Sequence, residues 1–159
     1  IHYTANQVRL TSTTVNNPYA SWATSKGLDG SPGKDPDFEA DPEGDGIANG
    51  LEWVLGGNPL ASDVASLVTV TGNASSGITL EFNREETSIG MANLVVQWGA
   101  NLDFNWTDVP ITQAGGSYAN GVVVSVNQAS TPDHVTVTIP ASNDVGGRLF
   151  ARLLVTLPE

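Results

Sequence analysis

The chain has 159 residues and carries 17 Asp and Glu against 6 Lys and Arg, a net charge of −11, a balance that argues against nucleic-acid backbones and anionic membranes, both of which require clustered cations. It contains no cysteine, which excludes disulfides, thiolate chemistry and Cys-ligated zinc. The length suffices for one ordinary domain with a real core, and no apolar run approaches the roughly 18 residues of a membrane span.

No signal peptide is evident, and a chain opening on Ile1 rather than Met is expected to be trimmed from a longer precursor. Composition divides it into three zones. In residues 1–16, "IHYTANQVRLTSTTV" predicts one strand over about Gln7 to Thr13, followed by a polar linker. A lone strand is unstable, so it must pair with the body of the chain, a second copy or a neighbouring domain.

Residues 17–63 hold the helical signals. In "NPYASWATSKG", Asn17 is an N-cap, Pro18 the first helical residue and Gly27 a stop, with Tyr19, Trp22 and Ala23 on one face. The stretch from Leu28 to Gly46 is too dense in Gly, Pro and Asp for regular structure. "IANGLEWVLGG" predicts a short helix with Leu51, Val54 and Leu55 inward, stopped at Gly56-Gly57. Trp22 and Trp53 are expected to act as core plugs that join this loop zone to a β-sheet.

Residues 64–159 alternate with period two. "GITLEF" aligns Ile78, Leu80 and Phe82 on one face; "NLVVQW" aligns Leu94, Val96 and Trp98; "GVVVSV" aligns Val122, Val124 and Val126; "HVTVTI" aligns Val135, Val137 and Ile139. With "LVTV", "WTDVPI" and "RLFARLLVT" the count is about seven strands, which predicts a mainly β fold, an antiparallel sandwich or barrel. "RLFARLLVT" is apolar on both faces and is expected in the middle of a sheet.

Seven of the carboxylates fall in residues 35–53, "DPDFEADPEGDGIANGLEW", with no basic residue among them. An EF-hand-type calcium loop takes oxygen ligands from positions 1, 3, 5, 7, 9 and 12 and a glycine at position 6. Counted from Asp41, these are Asp41, Glu43, Asp45, the Ile47 carbonyl, Asn49 and Glu52, with Gly46 at the turn. Carboxylates two residues apart in a tight turn converge on one point and repel unless a cation lies among them. Glu43 departs from the pattern, because the shorter Asp or Asn is usual at position 3. Oxygen ligands without His or Cys favour Ca2+ over transition metals, and Mg2+ resists such full dehydration. Asp37 and Glu39, just upstream, are secondary candidates for this ion or a second one; Asp35 shares their period of two, and Asp29 lies further upstream.

"DPEGDGIANGLEW" resembles the bacterial thrombospondin type 3 repeat, D-x-D-G-D-G-[LI]-x-[ND]-x-x-E followed by an aromatic residue. The longer run from Tyr19 to Asp63 is similar to a segment near the C-terminus of large secreted proteins of Verrucomicrobia and Planctomycetes. In those proteins a β-sandwich ending in an "LFARL"-like strand comes next, and "RLFARLLVT" stands in that place here. The resemblance covers about residues 17–157. It implies an extracellular or cell-surface setting, structural calcium, and upstream autotransporter-associated β-helical repeats or lectin-like domains, of which "NQVRLTST" would be the last strand. It implies no activity.

Nothing in the sequence assembles a catalytic site. His2 opens the chain and His134 faces away from Val135, Val137 and Ile139. Asp133, its neighbour, would point to the other face of a strand, which rules against a nucleophilic triad. Glu85 and Glu86 are expected at a hairpin tip rather than across a cleft, where glycosidase carboxylates belong. Two non-catalytic functions remain. One is a structural or adhesive module that joins its neighbours through the N-terminal strand. The other is a calcium-stabilised carbohydrate-binding module presenting Trp106, Tyr118 and Phe104 to a polysaccharide.

Overall fold

The computed structural model describes residues 17–102 and 105–158. The predicted strand over Gln7 to Thr13, and Phe104, lie outside the described residues. Eight strands form two antiparallel sheets: β1 (Val68–Asn73), β2 (Gly77–Arg84), β3 (Asn93–Gly99), β4 (Thr107–Pro110), β5 (Gly116–Ser117), β6 (Val123–Asn127), β7 (Asp133–Ile139) and β8 (Phe150–Thr156). One sheet runs β1-β2-β7-β6-β5 and the other β4-β3-β8. The fold is therefore mainly β and consistent with a sandwich. The strand that periodicity does not reveal is β5, whose two residues, Gly116 and Ser117, carry no alternating pattern.

The period-two faces close the core as expected. Leu80, Phe82, Leu94, Val96, Trp98, Val122, Val124, Val135, Val137 and Ile139 are all buried in one cluster. The strand β7 is central to the larger sheet, between β2 and β6, with Val135 paired to Phe82 and Val126 and Val137 paired to Leu80 and Val124.

The last strand corrects the expectation of a central position. β8 is an edge, paired only with β3 among the described residues, and Arg152, Leu154 and Thr156 point outward and are exposed. Its two-faced apolarity has a local cause. Leu153 and Val155 stand opposite Val96 and Leu94 on the core side, while Leu154 on the outer side stands beside Val95, itself opposite Pro110. A short apolar row across three strands thus uses the outer face of the sheet.

The segment "NREETSIG" likewise departs from the expected hairpin tip. β2 and β3 belong to different sheets, and a single 3-10 turn at Glu86–Ser88 carries the chain across. Ser88 is buried there, its hydroxyl donating to the Glu85 carbonyl at 2.6 Å.

Three helices precede the sandwich, α1 (Pro18–Ser25), α2 (Asn49–Leu55) and the single turn α3 (Val64–Leu67). Asn17 caps α1 as expected, its Oδ1 accepting the Tyr19 and Ala20 amides at 3.1 and 3.4 Å. Gly56 ends α2 in the left-handed conformation. Helices α1 and α2 touch each other, and α2 also lies against β2 of one sheet and β8 of the other. Trp53, fully buried, enters the same core as the strands, and Val54 and Leu55 join it. The loop zone and the sandwich therefore share one hydrophobic interior, and what positions α2 bears on both sheets.

Candidate metal centre

The acidic stretch splits into two halves with different structures. The first, Asp35 to Ala40, is a strap across the N-terminus of α2. That helix has no side-chain cap, since Ala48 stands at the cap position. Its free amides are taken by the strap: Asn49 N–H donates to the Ala40 carbonyl and Gly50 N–H to the Phe38 carbonyl, both at 2.8 Å. The Asn49 side chain completes the tether, its Nδ2 donating to the Asp35 and Asp37 carbonyls at 2.8 Å each. The Tyr19 hydroxyl donates to the Pro36 carbonyl at 2.7 Å. Burial first, then the charges of Asp37, Asp35 and Glu52, push that phenol up to about 12, so it stays a donor. Gly50 is required for contact: a Cβ there would collide with the Phe38 ring, which rests on the bare backbone.

The Asp37 and Glu39 carboxylates are on exposed residues. Asp35 Oδ1 accepts the Asp37 amide at 3.0 Å, and Asp29 Oδ1 accepts the amide and hydroxyl of Ser31. What ties this half to α2 is main-chain carbonyls.

The second half, Asp41 to Glu52, turns its side chains inward. Asp41 organises the turn, Oδ1 accepting the Gly44 and Asp45 amides at 2.9 and 3.2 Å and Oδ2 accepting the Gly46 amide at 2.8 Å. Gly46 sits at φ +93°, a conformation that side chains rarely adopt, at the sixth position where the loop pattern expects it. Asp45 Oδ1 accepts the Ile47 amide at 2.9 Å. One oxygen from each of Asp41, Glu43 and Asp45 lies within 4.8 Å of the others. No backbone amide among the described residues donates to the Ile47 carbonyl.

Glu52 faces this group from the first turns of α2. It is fully buried, and neither of its carboxylate oxygens has a hydrogen-bond partner. Both Glu43 oxygens are in the same state, so the longer side chain at position 3 reaches the interior. Burial, and then the charges of Glu43, Asp63, Asp45 and Asp41, push the Glu52 carboxyl up to about 8. The Glu43 carboxyl is also raised, chiefly by burial, with Asp45, Asp41 and Asp63 adding to it.

Asp63 is the residue that loop spacing misses. It comes after the Gly-Gly-Asn-Pro turn that ends α2, and its Oδ1 is buried with no partner. Its amide donates to Asp45 Oδ2 at 3.2 Å, and its own Oδ2 accepts the Asn58 amide at 3.0 Å. A twelve-position pattern ends at Glu52 and cannot see it. Asn49 falls at the buried foot of α2; its Oδ1 is unpartnered while its amide nitrogen serves the strap.

Among the described residues no basic side chain answers this charge. The one ion pair among the described residues is Arg84–Asp133, elsewhere in the core. Lys26 donates to the Gly57 carbonyl at 2.8 Å instead. Three carboxylates therefore converge, Glu52 and Asp63 are coupled to them by charge, and several of these oxygens are buried and lack a donor. Buried charge in that state is costly unless a cation lies among the oxygens.

The aromatic residues considered for sugar are placed apart. Trp106 precedes β4 in the smaller sheet, partly buried, with the Arg152 guanidinium 4.4 Å from its ring centre. Arg152 Nε donates to Gln97 Oε1 and Gln97 Nε2 to Asp108 Oδ1, both at 2.8 Å, forming a row across three strands. Tyr118 lies beside β5 of the larger sheet, packs against the core and donates its hydroxyl to the Pro110 carbonyl. His134 is exposed, and Asp133 is buried against Arg84.

Comparison with protein-family models, with curated proteins and with solved structures finds no match.

Proposed function

We propose that this chain is a non-catalytic, calcium-binding module of a larger extracellular or cell-surface protein, in which the ion holds the loop zone against the sandwich. One observation carries the reading: the Glu52 and Glu43 carboxylate oxygens are buried without a donor, and Glu43 lies with Asp41 and Asp45 in a group whose oxygens are within 4.8 Å of one another. A hard cation such as Ca2+ would supply the missing counter-charge at that place. Asp41, Glu43, Asp45, the Ile47 carbonyl and Glu52 would hold it, with Asn49 at the remaining loop position.

The residues divide the work. Asp41 shapes the turn through three amides, which aims the remaining oxygens inward. Glu52 transmits the site to α2, whose next residue, Trp53, is fully buried in the shared core. The extracellular setting rests on the repeat-like motif, and calcium modules outside cells work at about 10⁻⁴ to 10⁻³ M. A role in assembly finds support in β8, an edge strand of seven residues to which another strand can be added. The predicted strand over Gln7 to Thr13 is one such strand.

The carbohydrate-binding alternative rests on Trp106 and the Arg152–Gln97–Asp108 row, since rings flanked by hydrogen-bonding groups suit pyranoses. It has less support, because Arg152 occupies one side of the Trp106 ring and Tyr118 belongs to the other sheet.

The test is calorimetric titration of Ca2+ into chelator-stripped protein, paired with thermal melts. Heat of binding and a raised melting temperature are expected. A flat titration with an unmoved midpoint would sink the calcium reading, whereas hits on a glycan array that vanish in Trp106→Ala would promote the alternative.

A further inference from the structure

We infer that Asp63 is itself a ligand, so that the ion does not merely close a twelve-residue loop but clamps that loop to the entrance of the sandwich. This role rests on the calcium reading above and extends it beyond the motif.

Three observations place Asp63 in the site. Its Oδ1 is buried without a partner, in the same state as the Glu43 and Glu52 oxygens. Its charge acts on both of those carboxylates. Its orientation is held from two sides: Oδ2 accepts the Asn58 amide, and the Asp63 amide donates to Asp45 Oδ2. An acidic cluster alone would be no more than surface charge. Here a fully buried glutamate without a donor accompanies the cluster, and a carboxylate from outside the loop keeps one buried oxygen without a partner.

Oxygen count agrees. Ca2+ takes about 6 to 8 oxygens, commonly as a pentagonal bipyramid. One oxygen each from Asp41, Glu43, Asp45 and Ile47 with two from Glu52 reaches the lower end, and Asp63 supplies the next.

The consequence is mechanical. Asp63 immediately precedes α3 (Val64–Leu67), which leads into β1, the edge strand of the larger sheet. Between Glu52 and Asp63 the chain turns tightly, with Gly57 N–H donating to the Glu52 carbonyl at 2.7 Å. Gly57 has little space: a Cβ there would lie 3.1 Å from both Glu52 Oε1 and Leu67 Cδ1. An ion held at once by Glu52 and Asp63 would join the two ends of that turn, fixing where β1 begins relative to α2. Calcium would then order residues 58–67 as well as 41–52.

The experiment uses the full chain, wild type, Asp63→Asn and Asp63→Ala, with Ca2+ titrated calorimetrically and amide hydrogen exchange followed with and without the ion. Wild type should bind, and its residues 41–52 and 58–67 should both gain protection. Asp63→Ala should weaken binding by at least about tenfold, since ligand charge and number set the affinity of such sites. In both variants residues 41–52 should still gain protection at saturating Ca2+ while 58–67 should not. Asp63→Asn keeps the shape and the backbone donor, so it reports on ligation if the alanine variant folds poorly. Variants that bind within about twofold of wild type, a change too small for the loss of a charged ligand, or that retain calcium-dependent protection of 58–67, would overturn the clamp while leaving the loop site standing. A wild type that fails to bind Ca2+ would overturn both.

Discussion

Among the described residues charge is buried in two places, and only one of them is neutralised by a side chain of opposite sign. In the sandwich, Arg84 and Asp133 are 3% exposed each and pair at 2.7 Å, with Arg84 Nη1 also donating to the Ile111 and Thr112 carbonyls. In the loop zone, Asp41, Glu43 and Asp45 converge, Glu52 and Asp63 add buried oxygens without a donor, and no cationic side chain among the described residues pairs with them. A buried ion pair is satisfied by the chain that carries it. A buried cluster of like charge is not, and it must either bind protons or bind a metal. The difference separates a feature that serves folding alone from one that depends on something in the solvent.

Removing one partner from the neutralised site should do the most damage. Asp133→Ala leaves Arg84 buried and unpaired, and should destabilise by about 3–5 kcal/mol in denaturant melts. The loss should be the same with and without calcium; a calcium-dependent loss would mean that the two sites are coupled. Chelation of wild type should come next. At free Ca2+ a hundredfold above Kd the ion stabilises by about 2.7 kcal/mol, and chelator should remove that amount.

The pH response of the loop site should differ in sign between the loaded and stripped protein. Metal-free Glu52 holds its proton up to about pH 8 in the folded chain, against 4.5 for the ordinary group. Between those values the folded chain binds a proton that the unfolded chain has released. Stability of the metal-free protein should therefore fall as pH rises through that window. Bound calcium would hold the carboxylate ionised, so the loaded protein should not share the decline. Glu52→Gln should accordingly raise the melting temperature of chelated protein at about pH 8, where the raised carboxyl begins to ionise, yet lower that of calcium-saturated protein. A variant that moves both the same way would show that Glu52 acts by packing. The mildest change belongs to an exposed charge: Arg152→Ala loses its contact with Trp106 and its bond to Gln97, and should cost less than about 1 kcal/mol whatever the calcium level.

The two regions also differ in how far they can be read from the chain. The strand faces through Leu80, Val96, Val124 and Val137 come from period two, because a sheet with one buried side imposes that alternation. The cap at Asn17 and the turn at Gly46 are local backbone chemistry and equally legible. The edge position of β8 is not legible, because its second apolar face contacts other strands rather than a second sheet, which composition cannot distinguish. The Arg84–Asp133 pair is equally hidden, since 49 positions separate the partners and each residue type is ordinarily exposed. Spacing presents Asn49 only as a loop ligand, whereas much of its work is to tie the strap of Asp35 and Asp37 to α2.

By itself, the sequence determined the period of the longer strands, the start of α1 and the acidic loop in which Asp41, Glu43 and Asp45 come together, because all of these depend on neighbours a few residues apart. Only the tertiary structure decided that the carboxylate oxygens of Glu43 and Glu52 are buried, that Asp63 adds another buried oxygen from beyond α2, and that the stretch from Asp35 to Ala40 is tied to α2 through its carbonyls. Burial and unpaired oxygens arise when distant segments close on one another, and spacing along the chain carries no measure of that closure.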